Sequence, residues 1–174
     1  GSYVSSTSEA SAFEIMLAQV GDDLMGYESK RYKQQRLLAF SNWPTTDPMS
    51  YPLPLQLFFE KYSQVDVENI VAEETVVSGM FASSHVYPYY PDYLQYLPEY
   101  ANAVDDTGQV NTYRAYLETL VAHHSVPVVI SEFGVPSSRG RAQVDANTGR
   151  NQGGMSEDDQ GRAIVRSYVD IMAS

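Results

Sequence analysis

The chain has 174 residues, a formal net charge of −11, 43% hydrophobic residues and no cysteine. This length and apolar content suffice for one core and exclude a disordered, fibrous or disulfide-rich protein, so we expect a single domain over residues 1–174. The acidic balance argues against nucleic acid as a partner, because nucleic acid is bound chiefly through clustered Lys and Arg.

The amino-terminal residues carry no targeting pattern. No apolar run reaches the roughly 20 residues that cross a bilayer, and the start lacks the charged and apolar parts of a signal peptide. We therefore expect no membrane insertion. Gly1-Ser2 is typical of a vector-derived remnant.

The first predicted element is an amphipathic helix from Ser11 to about Lys33. Ser11 and Glu14 have the spacing of a capping box, in which each side chain satisfies a free backbone N–H of the first turn. The three-and-four spacing of one apolar face is formed by Phe13, Met16, Leu17, Val20, Leu24 and Tyr27.

Two apolar runs follow, and each predicts a buried strand. Residues 36–43 end at Pro44 and open into a proline-rich loop, in which residues 57–62 form at most one helical turn. Residues 80–87 form the second strand, whose exit is crowded with aromatic residues and two prolines.

The carboxy-terminal half predicts a helix, a strand, a loop and a helix. The helix covers about residues 111–124, with one face formed by Tyr113, Tyr116, Leu117, Leu120, Val121 and His124. Residues 126–133 are a third strand, and residues 134–154 are a mobile surface loop. The last helix starts at Ser156, with Ser156 and Asp159 as its cap and a buried stripe of Ile164, Val165, Tyr168 and Met172.

The order of elements predicts an α/β fold with a parallel sheet, because the strands are apolar on both faces and alternate with helices. A doubly wound sheet and a (β/α) barrel share this alternation. In both, functional side chains lie where parallel strands end. The candidates at the three strand ends are Asn42, Trp43 and Asp47; then His85, Tyr87, Tyr89, Tyr90 and Asp92; then Glu132.

Glu132 is the candidate catalytic group, since a carboxylate at the end of an apolar strand needs a hydrogen-bonding or electrostatic reason to be there. The alternative is a structural Glu bonded to loop amides. The aromatic residues after the second strand suit a saccharide, because rings stack on the apolar faces of sugars while phenol and imidazole groups bind hydroxyls; ordinary packing is the alternative. The alternative for Trp43 is a core or rim aromatic.

Other chemistries lack support in the sequence. Three His and no Cys form no metal-ligand spacing, and the motifs of dinucleotide sites, P-loops and serine-hydrolase elbows are missing. No cofactor and no metal are expected. Arg139, Arg141 and Arg150 are taken as solvated loop charges.

Two motifs, Val-Pro-Val-Val-Ile-Ser-Glu132-Phe-Gly and Ser84-His85-Val-Tyr87, resemble the clan A glycoside hydrolases, which are retaining enzymes on a (β/α)8 barrel. The resemblance implies a partial barrel, with residues 36–43, 80–87 and 126–132 as about strands five to seven. It implies that Glu132 is the nucleophile and that His85 or Tyr87 lies beside the cleaved sugar. An extracytoplasmic location is an expectation from the family alone.

The same resemblance places the acid/base Glu after an Asn on the fourth strand, and this Asn-Glu pair does not occur in the sequence. Retaining hydrolysis needs two carboxyl groups about 5–5.5 Å apart. We therefore expect the 174 residues to be inactive alone, with the rest of a parent barrel as partner. A homodimer through exposed sheet edges, a non-catalytic sugar-binding or scaffold domain, and a self-contained small α/β domain are the alternatives.

Overall fold

The computed structural model describes residues 1–90, 92–144 and 151–174. Its strands are β1 (Val4–Ser6), β2 (Leu38–Asn42), β3 (Ile70–Ala72), β4 (Met80–His85), β5 (Val128–Glu132), β6 (Arg141–Val144) and β7 (Asn151–Gly153). Its α-helices are α1 (Ala12–Tyr32), α2 (Leu53–Phe58), α3 (Pro98–Ala101), α4 (Thr112–His123) and α5 (Glu157–Ala173).

A three-stranded parallel sheet forms the centre of the fold, in the order β2-β4-β5. Leu38 pairs with Met80 and Ala82 pairs with Val128, and the pairing of β4 with β5 shifts by one residue between Ser84 and His85. The three predicted strands therefore lie side by side in one direction. The α/β class with a parallel sheet is confirmed; closure of a barrel is not seen in the described residues.

Helix α1 begins as predicted. Ser11 caps it, the Ser11 hydroxyl accepts from the Glu14 amide, and the Glu14 carboxylate accepts from the Ser11 amide, so the capping box is complete. At the other end of the chain, the Ser156 hydroxyl accepts from the Asp159 amide and starts α5. Both helix starts confirm that local capping patterns fix where a helix begins.

The buried faces of α1 and α5 differ from the prediction. In α1 the buried residues are small or acidic apart from Met25, namely Glu14, Ala18, Gly21, Met25, Gly26 and Glu28. The expected apolar face is largely exposed, with Val20 at 55%, and the stripe of α5 is exposed too, with Val165 at 63%. The prediction was wrong because the small residues Ala18 and Gly21 let α1 approach the sheet closely, while most side chains of the two apolar stripes stay exposed in the described structure.

Helix α4 lies in the main core, as its pattern predicts. Tyr113, Tyr116, Leu117 and Leu120 are buried, together with Val86 at the exit of β4. Val121 of the predicted face is exposed at 39%, and His124 is half-buried. A second apolar cluster joins β1, α1, β2 and β3 around Val4, Met25 and Ile70. The first cluster packs α4 against β5, and the second packs α1 against β2.

Three smaller predictions need correction. The proline-rich loop contains α2, a six-residue helix that begins earlier than expected. Strands β1 and β3 form an antiparallel pair that the sequence did not signal. The predicted loop of residues 134–154 contains the antiparallel hairpin β6-β7, and residues 145–150 of it lie outside the described residues. Pairs this short need backbone hydrogen bonds but no long apolar alternation, so periodicity misses them.

Within residues 1–90, 92–144 and 151–174, no helix is both long enough and apolar enough to span a membrane.

Candidate functional site

Glu132, His85 and Tyr87 come together at the carboxyl ends of β4 and β5. His85 pairs with Glu132 in the sheet, just after the one-residue shift of register, and the Val86 amide donates to the Glu132 carbonyl at 2.9 Å. This pairing continues the ladder to the end of both strands. The two side chains are thereby held next to each other by the backbone itself.

The contacts of the Glu132 carboxylate converge on one oxygen. The Tyr87 hydroxyl donates to Oε2 at 2.7 Å, and Nδ1 of His85 lies 3.3 Å from the same atom. In the described part of the chain, Oε1 has no hydrogen bond. About half of the Glu132 side chain is exposed, at 51%.

Tyr87 is fixed as a hydrogen-bond donor by its partner. Its hydrogen bond to the Glu132 carboxylate, aided by partial burial and by the negative charge nearby, raises the pKa of the Tyr87 phenol above its ordinary value. The phenol therefore keeps its proton at neutral pH. It remains the donor in its hydrogen bond to the Glu132 carboxylate.

A row of three serines runs across the sheet just before the strand ends. The hydroxyls of Ser41 and Ser83 are 3.2 Å apart, and those of Ser83 and Ser131 are 2.7 Å apart. The sequence analysis missed this row. The signal was present, because each of the three strands carries a serine one or two residues before its last residue.

Aromatic rings surround the strand ends. Trp43 and Tyr90 stack with ring centroids 6.0 Å apart and an angle of 27° between their planes, and both are exposed. Tyr87 and Tyr89 meet edge to face at 5.7 Å. The exits of β2 and β4 thus share one aromatic surface, as expected for neighbouring parallel strands.

Asn42 has a structural role in this geometry. Its amide nitrogen donates to the Val65 carbonyl at 2.8 Å, while its Oδ1 accepts from the Trp43 amide and from the Thr46 hydroxyl. These bonds fasten the start of the long connection between β2 and β4. They also fix the backbone that carries Trp43.

Asp47 was predicted to contact a saccharide, but its carboxylate lies inside the protein at 1% exposure. Lys61 pairs with Oδ1 at 3.0 Å, and the hydroxyls of Tyr51 and Tyr116 each donate to Oδ2 at 2.7 Å. Burial raises the pKa of Asp47, and the Lys61 charge and the two hydroxyls oppose that rise. We leave Asp47 out of the candidate site because protein donors already occupy its oxygens.

Asp92 was a further candidate at the end of β4, and its side chain lies outside the described residues.

Among the residues that the structure describes, no cluster of His, Cys, Asp or Glu could hold a metal ion.

Comparison with known proteins finds no matching family model, no similar curated protein and no similar solved structure. The geometry of the strand ends is therefore the basis for assigning a function.

Proposed function

We propose that Glu132 is the nucleophile of a retaining glycoside hydrolase site that acts on a β-linked saccharide. The observation that carries the proposal is the arrangement of its carboxylate at the end of a parallel strand. Oε2 is held by Tyr87 and His85, and Oε1 is open. A nucleophilic carboxylate needs this combination of one oriented oxygen and one oxygen free to attack.

The surroundings of Glu132 support a sugar as the ligand. Trp43 and Tyr90 form an exposed stacked pair, and Tyr89 lies against Tyr87. Such rings bind the apolar faces of sugars, while imidazole and phenol groups bind hydroxyls. The net charge of −11 is compatible with a neutral ligand of this kind.

The proposal includes a second carboxyl group supplied from outside the 174 residues. A retaining mechanism uses an acid/base carboxyl about 5–5.5 Å from the nucleophile. Asp47 cannot supply it, because it is buried in its own network. We propose that β2, β4 and β5 are about strands five to seven of a (β/α)8 barrel in a parent protein, whose other strands bring the acid/base group.

An activated substrate tests the nucleophile without that second group. In a dinitrophenyl deoxyfluoro-β-glycoside the leaving group departs as a stable phenolate and needs no protonation. Oε1 of Glu132 would form a bond to the anomeric carbon as the bond to the phenolate oxygen breaks. The fluorine slows hydrolysis of the ester, so mass spectrometry should find one added glycosyl group on Glu132.

The panel should include gluco-, galacto- and manno-configured reagents, since the sugar is not known. Glu132→Gln should abolish labelling, and Tyr87→Phe should slow it by about tenfold to a hundredfold, the loss expected when a hydrogen bond to a charged group is removed. Glu74→Gln, an exposed carboxylate before β4, is the matched control and should label normally. Equal labelling of the Glu132→Gln variant would contradict the proposal.

A non-catalytic saccharide-binding domain is the second candidate, and the exposed stacked pair of Trp43 and Tyr90 favours it. This function predicts that oligosaccharides bind without any covalent label. Calorimetric titration of the chain, with Trp43→Ala compared against wild type, distinguishes the two. Binding that depends on Trp43 in a chain that never labels would favour the binding domain.

A further inference from the structure

A cavity of about 430 Å³ lies on the helix side of the parallel sheet, between α1 and α4. Its floor is formed by β2, β4 and Val128, and its walls by Leu17 of α1 and Leu120 of α4. Val67 and Ile70, from the connection between β2 and β4, close another side. Glu132, His85 and Tyr87 do not line it, but Asn42 and Trp43 do, so the cavity adjoins the aromatic surface at the strand ends.

The connection between β2 and β4 explains why the space is there. Parallel strands are usually joined by a crossover of a dozen or more residues that places a helix on the sheet. Residues 43–79 contain only α2, two short 3-10 helices and β3. No long helix of this connection fills the layer between α1 and α4, and a gap remains.

The chemistry of the walls defines the occupant. The lining is mainly apolar, and interiors seldom leave a void larger than a water molecule unfilled. The polar side chains of the lining include Ser41, Asn42 and Asp47. Water needs several polar partners, which the apolar side chains of Leu17, Val67 and Leu120 on the other sides do not supply. The volume falls within the range of about 300–1,000 Å³ that is typical of small-molecule sites.

Charge further limits the ligand. Asp47 lines the cavity and is paired with Lys61, and the whole chain carries a net charge of −11. An anionic ligand would be repelled. The ring of His124 lines the cavity, and its Nδ1 lies 2.7 Å from the Leu120 carbonyl, which makes Nδ1–H the donor and leaves Nε2 able to accept one hydrogen bond.

We infer that this cavity is a binding site for a small, uncharged, largely apolar molecule. The inference does not depend on the proposed saccharide site. It rests on the volume and the apolar walls of the cavity and on the net negative charge of the chain.

Fluorescence titration with N-phenylnaphthylamine, an uncharged apolar probe, tests the site. We expect a saturable enhancement with one probe per chain, and much weaker binding of the sulfonated analogue anilinonaphthalene sulfonate, which has similar rings and a negative charge. Leu17→Trp, which fills the cavity from α1, should remove most of the enhancement. Val128→Phe, which fills the cavity from its floor on the sheet, should also remove most of the enhancement and replaces the first variant if Leu17→Trp does not fold.

The exposed apolar stripes provide the control, because an apolar probe can also bind there. Val20→Ser on α1 and Val165→Ser on α5 each remove an exposed apolar side chain outside the cavity lining. Both variants should bind the probe as the wild type does. Loss of binding in these variants, with binding intact in folded Leu17→Trp and Val128→Phe, would overturn the inference, as would equal or tighter binding of the sulfonated analogue.

Discussion

Glu14 and Asp47 are two buried carboxylates whose pKa values are shifted in opposite directions. Burial opposes ionisation of both. For Glu14, donors from Ser11, Asp66 and Asn69 outweigh burial, and its pKa is lowered. For Asp47, which lies deeper, burial outweighs Lys61 and the two tyrosine hydroxyls. Glu14 therefore stabilises the folded state as a carboxylate, whereas the charge on Asp47 needs its partners to be tolerated.

Glu14→Gln should destabilise the protein near neutral pH by about 1–3 kcal/mol, the cost of losing hydrogen bonds to a buried charged acceptor. The Ser11 amide donates to Glu14 at 2.7 Å within the cap of α1, and the Asp66 amide donates to it at 2.6 Å and joins α1 to a loop 52 residues later. Urea unfolding of wild type and variant measures the difference. Glu9→Gln, an exposed carboxylate in the preceding turn, is the control and should change little.

The pH dependence of that difference has a definite sign. A carboxyl group whose folded pKa is lowered contributes stability above its unfolded pKa, here near the ordinary value of 4.5, and loses it as the pH falls through the folded value. The difference in free energy of unfolding between wild type and Glu14→Gln should therefore be largest above pH 4.5 and shrink as the solution is acidified further. If this difference stayed constant down to low pH, the ionised form of Glu14 would not be what stabilises the fold.

Part of the candidate site could be predicted from single residues. Glu132, His85 and Tyr87 were expected to meet because the ends of parallel strands share one edge of a sheet, and their side chains do meet. Asp47 could not be placed correctly, because its burial depends on Lys61 and on Tyr116, a residue of α4 far away in the sequence. The sequence pattern contains no signal for such distant partners.

At the scale of elements, α1 shows that the more apolar face of a helix is not always the buried one. The face that packs on the sheet contains Ala18 and Gly21, and a Cβ at Gly21 would lie 3.2 Å from the ring of Phe40 and 3.4 Å from Leu38. Sequence periodicity finds the apolar stripe but cannot tell which neighbour covers it. Capping patterns were reliable for α1 and α5 because both partners of each bond are local.

Two glycine substitutions test this packing. Gly21→Leu should destabilise the protein by about 1–3 kcal/mol, because the new side chain has no room against β2. Gly161→Ala in α5, where an added Cβ meets nothing within 4 Å, should stabilise it by about 0.5–1 kcal/mol through helix propensity. Thermal unfolding of both variants measures whether Gly21→Leu lowers the stability and whether Gly161→Ala raises it. A neutral Gly21→Leu would mean that α1 does not approach the sheet this closely.

At the scale of the whole molecule, the described parallel sheet has two unpaired edge strands. In the described residues β2 and β5 each pair on one side only, and Val129 of β5 is exposed. The apolar stripe of α1 lies on a helix that packs on β2, and the stripe of α5 lies on the helix that follows β5 in the chain. Unpaired edges with apolar surface beside them favour association with another chain.

We predict that the chain associates with itself at high protein concentration, through these edges and stripes. The net charge of −11 opposes association, so added salt should strengthen it by screening the repulsion. Sedimentation velocity should show larger species that diminish when Val129→Lys places a charge on the β5 edge, or when Val165→Ser and Met172→Ser remove apolar surface from α5. Val77→Ser is the control, since Val77 is 86% exposed but belongs to neither edge nor stripe.

A single monomeric species at millimolar concentration and high salt would show that these surfaces do not drive self-association. A different chain would then be the partner to seek.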